Sequence, residues 1–152
     1  MDRGLVLLDD TETHRELLQE AKEHAIGADA DLVLLVTLTE DEYEETQEML
    51  DAIGSVENTS YTDDQVLTAA TNIAEELARD VLADDAVSYE VAPRIADEDE
   101  RAEAVIDTAA ETESDHVFVL GRKRSPTGKA LFGDLAQYVV LNFDGFVTLH
   151  AE

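Results

Sequence analysis

Short apolar runs alternate along this chain with segments in which apolar residues recur every three or four positions. The continuous apolar runs predict five buried β-strands, at 5–8, 32–36, 87–91, 116–120 and 146–149. Helical periodicity fills the intervals between them. Alternation of strands and helices is typical of an α/β fold, so we expect a parallel, doubly wound sheet with right-handed crossovers.

The helices are predicted from their apolar faces and end signals. One face of the first helix is apolar and contains Leu17, Leu18, Ala21 and Ala25. Gly27 is expected to close this helix. Thr62 and Gln65 have the spacing of a capping box, which predicts one long helix over 62–81. Further helices are expected around 102–109 and 135–141.

The stretch from 39 to 64 is harder to assign. One face of an additional helix is predicted there, formed by Tyr43, Met49, Leu50 and Ile53. Residues 54–64 have the composition of a polar loop. Pro93 is expected to end the third strand, because proline cannot donate a ladder hydrogen bond.

Length and composition narrow the class of protein. A chain of 152 residues suits one domain over 1–152, and 44% hydrophobic residues argue against a disordered acidic tail. The absence of cysteine excludes disulfides, thiolate metal sites and a cysteine nucleophile. No apolar run approaches the ~18 residues of a membrane span, and the opening segment is too short for a signal peptide. We therefore expect a soluble, cytoplasmic protein.

The formal net charge of −27 is extreme for this length. No Lys or Arg occurs between Lys22 and Arg79. Self-repulsion of such a surface is strong at ~0.15 M salt, where the Debye length is about 8 Å, and weak at molar salt, where it is about 3 Å. This predicts a protein of a halophile with a high-salt cytoplasm; the alternative is an acidic surface for a basic partner. Either way the field opposes nucleic acids and anionic membranes.

One basic, glycine-rich segment, at 121–133, stands out from this acidic background. It follows a predicted strand, precedes a helix, and contains Gly121, Arg122, Lys123, Arg124, Gly128, Lys129 and Gly133. Small residues allow close approach of a ligand, and N–H groups at a helix start favour an anion. The segment is interpreted as a phosphate cradle; the alternative is that its basic residues pair with nearby carboxylates.

Asp9 ends the first strand at the sheet edge that this loop shares. Ligands of open α/β sheets bind at that edge, so Asp9 is a candidate for a ribose hydroxyl or a Mg²⁺ ion. The alternative is helix capping, which Asp10 or Thr11 could also supply. No catalytic constellation is evident, and the spacing of the histidines and acidic runs does not indicate a metal site.

Five segments together resemble the universal stress protein (UspA-like) family. They are LVLLDDTE at 5–12, ADLVLLVT at 30–37, SDHVFVLG at 114–121, KALFGDLA at 129–136 and FVTL at 146–149. With the acidic composition, the chain resembles a member from a halophilic archaeon. The resemblance implies a Rossmann-like, three-layer α/β/α fold similar to adenine nucleotide alpha hydrolases, with strand order 3-2-1-4-5. It also implies a homodimer through the last strand, 146–149.

One branch of that family binds ATP through the motif G-x2-G-x9-G-[ST]. The resemblance places Gly121 and Gly133 on its first and last glycines, with Leu8, Asp9 and Thr37 around the nucleoside. Arg124 stands at the second glycine, the next spacer is one residue short, and Asp134 replaces the Ser or Thr. Basic residues Arg122, Lys123, Arg124 and Lys129 are expected to replace lost contacts, with Mg²⁺ or K⁺ offsetting the Asp134 carboxylate.

The resemblance thus implies a dimeric stress-response binding module that holds ATP with Mg²⁺ or another nucleotide and performs no turnover. Two alternatives remain: a structural dimer that binds no nucleotide, and a weak ATPase or phosphotransfer enzyme using the same loop. A response-regulator receiver is disfavoured, because Ala92 and Pro93 follow the third strand where its acceptor aspartate would stand.

Overall fold

The computed structural model describes residues 1–57, 61–83, 86–121 and 133–151, without the side chains of residues 57, 64, 70, 73 and 74. The strands are β1 (Arg3–Leu8), β2 (Asp31–Leu38), β3 (Tyr89–Ile95), β4 (His116–Gly121) and β5 (Phe146–Ala151). The helices are α1 (Glu12–Ala28), α2 (Glu40–Glu57), α3 (Asp63–Ala70), α4 (Asn72–Val81), α5 (Arg101–Glu111) and α6 (Asp134–Asn142), and a 3₁₀ turn, Glu98–Glu100, precedes α5.

The strands form one parallel sheet in the order β3-β2-β1-β4-β5. This confirms the predicted fold class and the strand order that the resemblance implied. The central strand β1 is buried almost throughout, as its continuous apolar sequence predicts. Alternate side chains of this strand serve two cores, one on each face of the sheet.

The first core contains Val6 and Leu8 packed with α1 and α4, and the second contains Leu5 and Leu7 packed with α5 and α6. Phe118 of β4 is the largest fully buried side chain among the described residues and belongs to the first core. Complete burial of each such side chain contributes roughly 1.5–3 kcal/mol, so the sheet is held rigidly between two helical layers.

Helix α1 buries the four residues that its periodicity predicted, Leu17, Leu18, Ala21 and Ala25. The prediction that Gly27 closes the helix is wrong by two residues, because the helix continues to Ala28 and closes at Asp29. Asp29 adopts the left-handed conformation, with φ 53°, and its N–H donates to the carbonyls of Ala25 and Ile26. Aspartate tolerates this conformation better than most residues, so no glycine is required there.

The predicted long helix over 62–81 is two helices. The capping box of Thr62 and Gln65 is confirmed at the start of α3. Thr71 then separates α3 from α4, with its buried hydroxyl donating to the carbonyls of Leu67 and Thr68. A threonine hydroxyl that bonds the preceding turn competes with helix continuation, and sequence periodicity does not register that competition.

Helix α2 confirms the predicted additional helix but extends through Gly54 to Glu57, so the predicted loop begins too early. Pro93 likewise does not end its strand, since β3 continues to Ile95. β3 is an edge strand, so the backbone nitrogen of the proline, which has no hydrogen to donate, can face away from the neighbouring strand. Among the helices of the described ranges, none is both long and apolar enough to span a membrane.

Candidate functional site

The order of the strands places a crevice at the carboxyl ends of β1 and β4. From β1 the strands are added toward one side of the sheet as β2 and β3, and toward the other side as β4 and β5. The position between β1 and β4 is therefore the topological switch point. Their paired residues run from Gly4 with His116 to Val6 with Phe118, whereas β1 stays paired with β2 as far as Leu8 with Val36. The ends of β1 and β4 therefore part at the position where open α/β sheets bind ligands.

Three side chains from separate parts of the chain meet beside this crevice. The Nε of Arg101 donates to Oγ1 of Thr37 at 3.2 Å, and an Nη of the same guanidinium lies 3.8 Å from a carboxylate oxygen of Asp9. Arg101 is largely buried and Asp9 is exposed. Two of the predicted nucleotide-binding residues are thus joined by one cation.

Arg101 was not predicted as a site residue. It is the first residue of α5 and follows the turn in which Asp97 and Glu100 form a reciprocal capping box. This turn fixes where α5 begins and so directs Arg101 toward β2. The sequence signal for it is a lone arginine directly after the acidic run 97–100.

Asp9 and Thr11 divide the two roles that the sequence left open for the turn after β1. Thr11 caps α1, accepting the N–H of His14 at 3.1 Å. One oxygen of Asp9 accepts the N–H of Asp10 at 2.8 Å, and the other faces Arg101. Helix capping therefore belongs to Thr11, and the Asp9 carboxylate remains exposed at the crevice.

The other predicted site residues are placed in part. Leu8 is buried at the end of β1, and Gly121 is buried at the end of β4. Gly133 precedes α6 with φ 84°, a left-handed conformation that favours glycine, and Asp134 is exposed in the first turn. Arg122, Lys123, Arg124, Gly128 and Lys129 lie outside the described residues.

The start of α6 has the polarity that a phosphate group prefers. Gly133 has no side chain with which to cap the helix, and the helix dipole favours negative charge at this end. Asp134 already supplies such a charge. This carboxylate stabilises the helix and opposes a second anion at the same place.

At the other end of the strands, where β4 begins, aromatic rings surround His116. Its ring stacks on Phe118, and Nε2 lies 2.7 Å from Oγ1 of Thr148. Burial, together with the positive charge of nearby His24, lowers the pKa of His116, while Asp115 acts in the other direction. No group of three His, Asp or Glu side chains suited to a metal ion occurs within the described ranges.

Comparison with known proteins shows which family has this sequence pattern and fold. The model of the universal stress protein family matches residues 1–149. A universal stress protein from Archaeoglobus fulgidus has 22% identity and a TM-score of 0.60, covering 98% of each chain. UspA from Lactobacillus plantarum has 18% identity and a TM-score of 0.61, covering 97% of this chain and 96% of that one. No significant match was found among curated proteins.

Two similar structures were solved with nucleotides. One is a universal stress protein in complex with cAMP, with 16% identity and a TM-score of 0.59, covering 99% of this chain and 96% of that one. The other is the Archaeoglobus fulgidus universal stress protein in complex with dAMP, with 17% identity and a TM-score of 0.56, covering 98% and 97%. At these identities the likeness establishes the fold.

Proposed function

The chain belongs to the universal stress protein family, and we propose that it is a stress-response module that binds an adenine nucleotide at the crevice between β1 and β4. The observation that carries the proposal is the contact of Arg101 with both Thr37 and Asp9. It brings a hydroxyl, a carboxylate and a guanidinium to the switch point of the sheet, where nucleotides bind in folds of this class.

Each group has a role that its chemistry suits. The Asp9 carboxylate accepts hydrogen bonds from ribose hydroxyls, and Leu8 and Thr37 border the base. Gly121 and Gly133 allow the phosphates to approach the backbone between β4 and α6. Arg122, Arg124 and Lys129 lie in the sequence between these two glycines and supply the positive charge that a phosphate needs, while Gly128 offers no side chain to obstruct it.

The charge of the site also determines which nucleotide fits. Asp134 at the start of α6 repels a triphosphate unless a cation lies between them. Bound ATP therefore needs Mg²⁺ or K⁺, and Asp9 and Asp134 are the carboxylates available to it. A monophosphate carries less charge and needs less compensation. The related structures with cAMP and dAMP agree with this preference.

The same proposal includes a homodimer through β5. This strand is the last in the sheet and offers its free edge for pairing. Phe146 on β5 and Leu141 on α6, the helix that precedes β5, are both exposed large apolar residues. Their burial against a second copy would remove apolar surface from water.

The test is titration calorimetry of AMP, and of ATP with Mg²⁺, into the purified chain in about 2 M KCl. Micromolar binding of either is expected, and Arg101→Ala should weaken it at least about tenfold through loss of the Thr37 and Asp9 contacts. Arg79→Ala is the matched control. Arg79 lies exposed in the last turn of α4, which leads toward the opposite edge of the sheet.

Three results would count against nucleotide binding at the crevice. They are no heat with either nucleotide, an unchanged affinity in Arg101→Ala, and equal weakening by Arg79→Ala. The first would favour a dimer module that holds no nucleotide. Release of phosphate from bound ATP would instead favour the weak ATPase alternative.

A further inference from the structure

Helix α2 presents an apolar stripe that the rest of the described chain does not cover. Met49, Ile53 and Val56 follow one another at i, i+4 and i+7, so they lie on one face of the helix. Their exposed fractions are 57%, 42% and 88%. Helix α2 contacts α3 through a different face, where Gly54 is buried and the hydroxyl of Tyr43 donates to Asp63.

An apolar groove adjoins this stripe. It has a volume of about 570 Å³ and lies between α2 and the α3–α4 pair, lined by Leu50, Tyr61, Gln65, Thr68, Ala69 and Asn72. Leu50 and Ile53 are three residues apart and therefore neighbours on the helix surface. The groove and the stripe thus form one continuous surface, which we call the α2 surface.

Carboxylates border the α2 surface along one side. Asp41, Glu45 and Glu48 repeat at i, i+4 and i+7 and form a row beside the apolar stripe. All three are exposed, and none forms an ion pair with a basic side chain of the described ranges. The whole stretch between Lys22 and Arg79 contains no Lys or Arg that could neutralise them.

The combination of an apolar groove and an unneutralised acidic row restricts what can cover it. A second copy of the chain placed against this surface would bring the same carboxylates together, at a net charge of −27 per chain. Nucleic acids and anionic membranes are repelled for the same reason. An amphipathic helix with apolar residues on one face and Lys or Arg beside them matches both features.

We propose that the α2 surface is a docking site for a basic amphipathic helix of a partner protein. The partner's apolar side chains enter the groove beside Leu50 and cover Met49 and Ile53, and its cations face Glu45 and Glu48. The α2 surface shares no residue with the proposed nucleotide site, and docking there does not depend on nucleotide binding.

The experiment uses a fluorescent peptide of leucine and lysine whose leucines repeat with helical spacing, and a scrambled peptide of the same composition. Binding is measured by anisotropy at the lowest KCl concentration at which circular dichroism shows the chain folded. The helical peptide should bind at least about tenfold more tightly than the scrambled one. Non-specific attraction to the acidic surface predicts equal affinities and would overturn the proposal.

Two pairs of variants locate the site. M49Q/I53Q should weaken binding of the helical peptide at least about tenfold, whereas I26Q/I95Q should leave it unchanged. Ile26 and Ile95 are exposed by 49% and 46%, closely matching the two tested residues, and lie outside α2. Equal losses in both variants, or no binding by the unmodified chain, would overturn the proposal.

The acidic row is tested on the same helix. E45Q/E48Q removes two charges beside the stripe, and E44Q/D51N removes two from the far face of α2. The first variant should weaken peptide binding several-fold and the second should not.

Light scattering of M49Q/I53Q supplies a further criterion. A loss of dimer in that variant would identify the α2 surface as a contact between copies and overturn the proposal.

Discussion

The imidazole of His116 lies face to face with the ring of Phe118, with centroids 4.4 Å apart and planes 4° from parallel. Phe118 is completely buried, so this contact holds His116 against the core. His24 approaches both rings edge-on, at 5.8 Å from His116 and 5.3 Å from Phe118. A protonated His116 would sit partly desolvated beside a second imidazole.

The first prediction concerns the pH dependence of stability. Burial lowers the pKa of His116 below its usual value of about 6.5. The unfolded chain therefore binds this proton more readily than the folded chain, and protonation favours unfolding. The contribution of neutral His116 to the free energy of unfolding should be fully present above about pH 6.5. It should decline as the pH falls through the interval between the pKa values of this histidine in the unfolded and folded chains.

The measurement is urea unfolding at pH 7.5 and pH 5.5, for the unmodified chain and for His116→Gln. The loss of unfolding free energy between these pH values should be smaller in the variant. An NMR titration of the His116 imidazole should give a midpoint below that of a histidine in a short peptide. An equal pH dependence in both proteins would contradict the prediction.

The second prediction concerns Gly145, in the turn between α6 and β5. A Cβ at this position would lie 2.8 Å from the carbonyl oxygen of Asp115 and 2.6 Å from the Phe143 ring. That carbonyl accepts the N–H of Phe146, so it is fixed at the start of β5 and cannot move away freely. Gly145→Ala should reduce the unfolding free energy by about 1–3 kcal/mol.

Gly27→Ala provides the control for that substitution. Gly27 lies within α1, and a Cβ there meets no atom within 4 Å. Alanine is the better helix former, so this variant should gain about 0.5–1 kcal/mol. Chemical denaturation of both variants compares the two effects, and a neutral Gly145→Ala would show that the turn relaxes around the methyl group.

Several features that depend on residues close together in sequence were predicted correctly, whereas some that depend on the arrangement of the whole sheet were not. The buried face of α1 was predictable because 3.6-residue periodicity and burial in a two-sided sheet both act along a contiguous segment. The capping box of Thr62 and Gln65 was predictable for the same reason, since both partners lie within four residues. Tolerance of Pro93 in β3 depends on the edge position of that strand, which is a property of the whole sheet.

The candidate site depends on both local and long-range interactions. Asp9 could be predicted as a candidate because it directly follows a buried strand. The contact of Arg101 with Thr37 could not be predicted because the two residues are 64 apart in sequence, and no local pattern joins them. The contact exists because β2 and the start of α5 meet at one edge of the sheet, so it follows from the topology and not from the neighbouring sequence.

The third prediction concerns salt. With a net charge of −27, the folded chain concentrates carboxylates that repel one another, and KCl screens that repulsion. The melting temperature should rise steeply between 0.1 and 2 M KCl. Scanning calorimetry across this range measures the rise, with sucrose of matched osmolality as the control for solute exclusion. A flat curve would contradict adaptation to a high-salt cytoplasm.

The fourth prediction concerns Asp134 and the nucleotide. If a phosphate approaches the start of α6, the Asp134 carboxylate opposes it directly, whereas a serine would offer a hydroxyl and no charge. Asp134→Ser should therefore tighten AMP binding at least about tenfold, since two charges 4 Å apart interact by about 1 kcal/mol in water and about 4 kcal/mol near a protein surface. Asp144→Ser is the matched control, because Asp144 is exposed in the turn between α6 and β5, beyond the end of α6 that is farther from Asp134. Calorimetry of the two variants in the same KCl concentration separates a local effect from a change in net charge. Equal affinities would place the phosphate away from α6.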